Sequence, residues 1–142
     1  MRLVPMEFNH LPSVARLCGQ LGYAATETEL AERLGVLGPH PDHQLLVGLD
    51  DEGNVVGWGH GKVDLRLLTG RRLEISALVV DEACRGRGIG AALLGALEIW
   101  GRSRGCPHVR VSSQASRTKA HRFYGRSGYD LEKISHLFRK PL

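Results

Sequence analysis

The chain has 142 residues, 42% hydrophobic and 24% charged, which suits one packed domain spanning residues 1–142 and leaves little room for a second. No apolar run approaches the roughly 20 residues of a membrane span, Met1–His10 lacks the pattern of a signal peptide, and Cys18, Cys84 and Cys106 fit neither a zinc site nor a disulfide framework, so a cytoplasmic protein without a metal is expected. The net charge of +4 is uneven: residues 1–84 carry seven Lys and Arg against twelve Asp and Glu, and residues 85–142 carry twelve against three. A polyanion near the second half and a cation near the first would suit that split, and so would plain solvated surface. Nucleic acid is disfavoured, because the basic residues are not interleaved with aromatic stacking platforms.

Met1–Met6 reads as a short first strand. Asn9 can cap a helix carrying Leu11, Val14, Leu17, Cys18 and Leu21, ended by Gly22. Thr26 and Glu29 form a capping box for a second helix with Leu30, Leu34 and Leu37, stopped at Gly38. Strands follow at Gln44–Leu49, Val55–Leu67 and Arg71–Val80, joined by turns at Asp51–Asn54 and Thr69–Gly70. The next helix places Ile89, Ala92, Leu93, Ala96, Leu97 and Trp100 on one face and ends at Gly105. His108–Ser113 reads as a strand, and Arg117–Ser127 as a helix with Ala120, Phe123, Tyr124 and Ser127 inward. Tyr129–Arg139 has room for one or two final strands. The order β-α-α-β-β-β-α-β-α-β predicts an α+β layered fold, a mixed central sheet flanked by helices.

The run Arg85-Gly86-Arg87-Gly88-Ile89-Gly90 joins the third of these strands to the long helix. Its glycines let main chain approach a ligand, and the free N–H groups at the helix start favour an anion. A P-loop would need Lys and Ser or Thr after the last glycine, where Ala91 and Ala92 stand. A dinucleotide fingerprint would need an acidic residue about 20 positions on, and Cys106–Ser113 has none. The segment LEISALVVDEACRGRGIGAALL, with AHRFYGRSGY after it, resembles the GNAT superfamily of N-acetyltransferases. Arg85-x-x-Gly88-x-Gly90 matches that family's pyrophosphate loop, and Phe123-Tyr124 with Gly128-Tyr129 matches its C-terminal motif.

The resemblance implies a GNAT (acyl-CoA N-acyltransferase) fold and acetyl-CoA as co-substrate. The main chain of Arg85, Gly86, Arg87, Gly88, Ile89, Gly90 and Ala91 would cradle the pyrophosphate, with Arg85, Arg87, Arg117 and Arg122 near the 3′-phosphate. The strand at Leu78, Val79 and Val80 would splay from its neighbour and pair with pantetheine, and the Leu78 N–H would steady the thioester oxyanion. Many relatives have asparagine where this chain has Arg117, so that contact falls to Arg117 or Ser116.

Glu74 stands where histone-acetylating relatives keep a catalytic glutamate, and it would deprotonate an amine whose ordinary pKa is about 10.4. Strict alternation puts Glu74, Ser76, Leu78 and Val80 on one strand face. Tyr124 holds the family's general-acid position, a phenol able to protonate the departing thiolate. His60, Asp64, Ser135 and His136 could line the acceptor side, though no motif singles them out. The function implied is N-acetylation of a primary amine, foremost on a small molecule, by direct attack in a ternary complex. Protein amines are the second acceptor class, a non-catalytic acetyl-CoA-binding module is the competing reading, and a homodimer is left open.

Overall fold

The computed structural model describes residues 1–142, which group into two units, residues 1–111 and 112–142. In the first, β1 (Arg2–Pro5) leads through a 3₁₀ turn at Phe8–His10 into α1 (Leu11–Gln20). Asn9 does not cap α1 as expected. It lies inside the 3₁₀ turn, which closes when the Glu7 N–H donates to His10 Nδ1 at 3.0 Å. The second helix, α2 (Glu27–Leu37), starts on the expected capping box: the Glu29 N–H donates to Thr26 Oγ1, and the Thr26 N–H to Glu29 Oε1, each at 3.1 Å.

Four more strands and one helix complete this unit: β2 (His43–Leu49), β3 (Val55–Arg66), β4 (Gly70–Val80), α3 (Ile89–Ser103) and β5 (Val109–Val111). The sheet runs β1-β2-β3-β4-β5, antiparallel up to β4, with β5 parallel to β4. A parallel final pair requires a crossover, and α3 supplies it. Helices α1 and α2 cover one face, where Leu11, Val14, Leu17 and Leu34 pack on Val47, Leu49 and Val79. On the other face α3 lies close to the main chain of β3. A Cβ added at Gly57 would stand 3.1 Å from side-chain atoms of both Ile89 and Leu93, and one at Gly59 3.1 Å from Leu97.

The alternation expected along β4 is broken. His60 pairs with Ala77 but Gly61 with Ile75, so Ser76 is an extra residue with no partner on β3, a β-bulge. Paired residues of an antiparallel ladder share a face. Leu73 and Ile75 before the bulge, and Leu78 and Val80 after it, therefore point toward α3 with Val63, Gly61, Gly59 and Gly57. Glu74, Ala77 and Val79 point to the α1 side with Lys62, His60 and Trp58. Glu74 thus lies on the opposite face from Leu78 and Val80, because one unpaired residue shifts every side chain beyond it by half a period.

The second unit holds α4 (Thr118–Arg126). It ends in a Schellman turn, with the Tyr129 N–H donating to the Tyr124 carbonyl at 2.9 Å and Gly128 at φ +88. The one or two strands expected within Tyr129–Arg139 do not form, and residues 129–142 contain neither helix nor strand. The apolar residues there recur as Leu131, Ile134, Leu137 and Phe138, all exposed, which is not the two-residue period of a half-buried strand.

Candidate active site

The Asp81 carboxylate ends β4 and is held from three directions. Gln20 Nε2 and Arg16 Nη1 of α1 each lie 3.2 Å from it, and its Oδ1 accepts the Ala83 N–H at 3.1 Å. The hydrogen bond from Gln20 leads the causes that hold its carboxyl below the usual range. Gln20 Oε1 also accepts the Glu82 N–H at 3.0 Å, so the end of α1 fixes where the chain leaves β4.

From there a 3₁₀ turn at Glu82–Cys84 delivers the glycine loop. Gly86 and Gly88 adopt φ of +80 and +78, left-handed conformations that L side chains rarely take. Gly88 is the N-cap of α3 and has no side chain to bond the first-turn amides. The N–H groups opening α3, at Ile89, Gly90 and Ala91, therefore have no side-chain cap. The Ile89 side chain is buried against the sheet, leaving its main chain to act in the loop, and Arg85 and Arg87 are exposed. Two left-handed glycines, amides without a side-chain cap and two exposed arginines form a cradle of the kind that suits an anion.

The strand leading into this cradle has an open edge. Strand β5 pairs with β4 only over Leu73–Ile75, so beyond Ile75 no strand continues on that side. The Asp81 N–H donates to the Val56 carbonyl on β3, at 2.9 Å. By alternation Val79 also turns its main chain to β3, while Leu78 and Val80 turn theirs to the open edge. The pairing with β5 ends where a splay was expected, and the three residues expected to act there divide. Val79, 3% exposed, commits its side chain to the core and its main chain to the sheet.

On the α1 face, four strands contribute one row in register: His43 opposite Lys62, Lys62 opposite Glu74, and Glu74 beside Arg110. The expected carboxylate therefore stands between two cations. His60, one pair further along, is half-buried, and its Nε2 lies 2.9 Å from His43 Nδ1. Burial, then the charges of His43 and Lys62, push His60 down to about 4. Burial also leads the causes that lower His43. No motif marked this pair in the sequence. The signal available was His60 on one predicted strand and His43 just before the start of its neighbour, and register was needed to use it.

In the second unit, Ser116 is exposed and Arg117, half-buried, is the N-cap of α4. Tyr124 packs against Phe123 and Tyr129 at ring-centroid distances of 5.2 and 5.6 Å. Burial raises its phenol pKa, with Arg117 opposing, so the hydroxyl stays protonated at neutral pH. His121 Nε2 lies 2.9 Å from the Gln114 carbonyl, which ties down the loop before α4.

The model of the acetyltransferase (GNAT) family matches residues 15–129. The uncharacterized N-acetyltransferase YhdJ of Bacillus subtilis (strain 168) is 42% identical over 74 residues, 51% of this chain and 51% of that protein. The match thus spans about half the length of this curated relative. Glucosamine-6-phosphate N-acetyltransferase from Arabidopsis thaliana has a TM-score of 0.84 at 21% identity, over 97% of both chains. The structure of AAC(6')-Iy in complex with the bisubstrate analogue CoA-S-monomethyl-acetylneamine has a TM-score of 0.85 at 18% identity, over 99% of this chain and 98% of that one.

Proposed function

The chain belongs to the GNAT acetyltransferase family, and on that premise we propose that it moves the acetyl group of acetyl-CoA to a primary amine of a small molecule, by direct attack in a ternary complex. The observation that carries this reading is the continuity of β4's open edge with the glycine cradle. A pantetheine arm carries amides that can pair along Leu78 and Val80 as an added strand. The pyrophosphate at its end then meets Gly86, Gly88 and the amides of Ile89, Gly90 and Ala91, with Arg85 and Arg87 supplying charge. Arg117 and Ser116 serve the arm or the 3′-phosphate.

The acceptor arrives as an ammonium and must lose a proton before it can attack. Glu74 takes that proton through a water. The nitrogen adds to the thioester carbonyl, and the developing oxyanion accepts from the Leu78 N–H. As the C–S bond breaks, the Tyr124 hydroxyl protonates the sulfur. The raised pKa of Tyr124 supports this role, since the proton must still be in place at neutral pH. No helix is long and apolar enough to cross a membrane, and we assign the enzyme to the cytoplasm.

The test is a pair of measurements on the full chain. Calorimetry should show acetyl-CoA binding, and a screen of amines, aminoglycosides and peptides should release free thiol with at least one small amine. Binding without turnover on any of them would establish a non-catalytic module instead.

A further inference from the structure

Turning an ammonium into an amide removes two protons from nitrogen. One departs before attack and the other from the tetrahedral intermediate. Sulfur gains one, so one must reach solvent. Glu74 answers for the first.

His43 and His60 lie on the Glu74 face of the sheet, and His40 precedes β2. His40 is exposed, and its ring meets that of His43 edge-on at 4.9 Å. The His43 ring lies 5.1 Å from that of His60, and the two share the 2.9 Å hydrogen bond. His60 sits opposite Ala77, so a methyl is the only β4 side chain in the row between His60 and the open edge, where Leu78 follows. The other charged groups around the pair are Lys62 on β3, Glu74 on β4, Arg110 on β5, and Asp42 next to His43, whose carboxylate Arg104 holds at 2.9 Å. Both rings are kept neutral near pH 7, burial being the main cause in each. A neutral pair sharing one hydrogen bond has a lone pair facing an N–H, the arrangement a proton transfer needs.

We propose that His60 and His43 form a relay that removes the second proton from the acceptor nitrogen and passes it toward His40 and solvent. The proposal rests on the acetyltransferase reading above. His60 Nδ1 accepts the proton as the N–H bond breaks and its electron pair stays on nitrogen. The proton on His60 Nε2 crosses to His43 Nδ1, and His43 releases its Nε2 proton to water. Both rings are left neutral in the opposite tautomers, and exchange with solvent restores them. A weak base suffices here, because the cationic nitrogen of the intermediate gives up its proton far more readily than a free ammonium.

The experiment uses the full chain, acetyl-CoA and an amine found by the screen. Positioned general bases contribute about 10²- to 10⁴-fold, so His60→Ala should lower kcat by at least about 10²-fold with the acetyl-CoA KM unchanged. Added imidazole should restore part of that rate, which a packing role would not allow. His43→Ala should reduce kcat less, by about tenfold, and lower the number of protons in flight seen in a proton inventory. His60→Gln preserves shape and polarity and guards against a folding artefact. Full kcat in His60→Gln, or a His60→Ala defect that imidazole leaves untouched, would overturn the relay alone. A wild-type chain that acetylates no amine would overturn the acetyltransferase reading and the relay with it.

Discussion

The donor side and the acceptor side proposed for this site are built from different material. The donor side is main chain: the open edge at Leu78 and Val80, two left-handed glycines and the uncapped start of α3, contiguous in sequence. The acceptor side is side chain: His43, Lys62, His60, Glu74 and Arg110 come from four strands and meet only through register. The bulge at Ser76 joins the two, since it turns Leu78 and Glu74 to opposite faces of one strand. A recognition surface for a fixed cofactor can be written in one continuous segment. A surface for a variable acceptor is assembled from residues far apart in the chain.

The largest effect on the proposed reaction should come from Tyr124→Phe, which should lower kcat by about 10²-fold while calorimetry finds acetyl-CoA affinity unchanged. An unaltered rate, with chemistry shown to be limiting, would remove Tyr124 from the reaction.

The acceptor side alone should respond to mild acid. His60 is held at about 4 in the fold and titrates near 6.5 when unfolded. Protons then favour the unfolded chain, so the stabilisation is complete above pH 6.5 and is lost as pH falls toward 4. The loss should be about 1–3 kcal/mol once solvent access is allowed for. Urea midpoints at pH 7.5 and 4.5 should differ less in His60→Gln than in wild type, and equal differences would contradict the assignment. The donor side should respond to Gly88→Ala instead. A left-handed alanine costs about 1–2 kcal/mol, and acetyl-CoA binding should weaken with it, whereas the mild-acid response should remain as in wild type.

Much of this was legible without coordinates. The glycine loop, the Tyr124 motif, the α2 capping box and the order of elements through α4 are local, each resting on neighbours a few residues apart. Asn9 does not cap the first helix, because Glu7 and His10 close a 3₁₀ turn around it. The final strands do not form, because Leu131, Ile134, Leu137 and Phe138 lack strand periodicity and find no ladder. The face of Glu74 departs from alternation for a third reason. Alternation holds only while every residue has a partner, and nothing near Ser76 announces that it has none.

The sequence by itself determined the segment proposed to hold the donor: glycines, arginines and a helix start suited to a pyrophosphate must be contiguous to work, and contiguity is visible in a chain. Only the tertiary structure assembled the proposed acceptor side. The hydrogen bond between His43 and His60, and the row from His43 to Arg110, depend on how strands from distant segments align. That alignment is set by packing on both faces of the sheet, and one unpaired residue is enough to reverse which side chains meet.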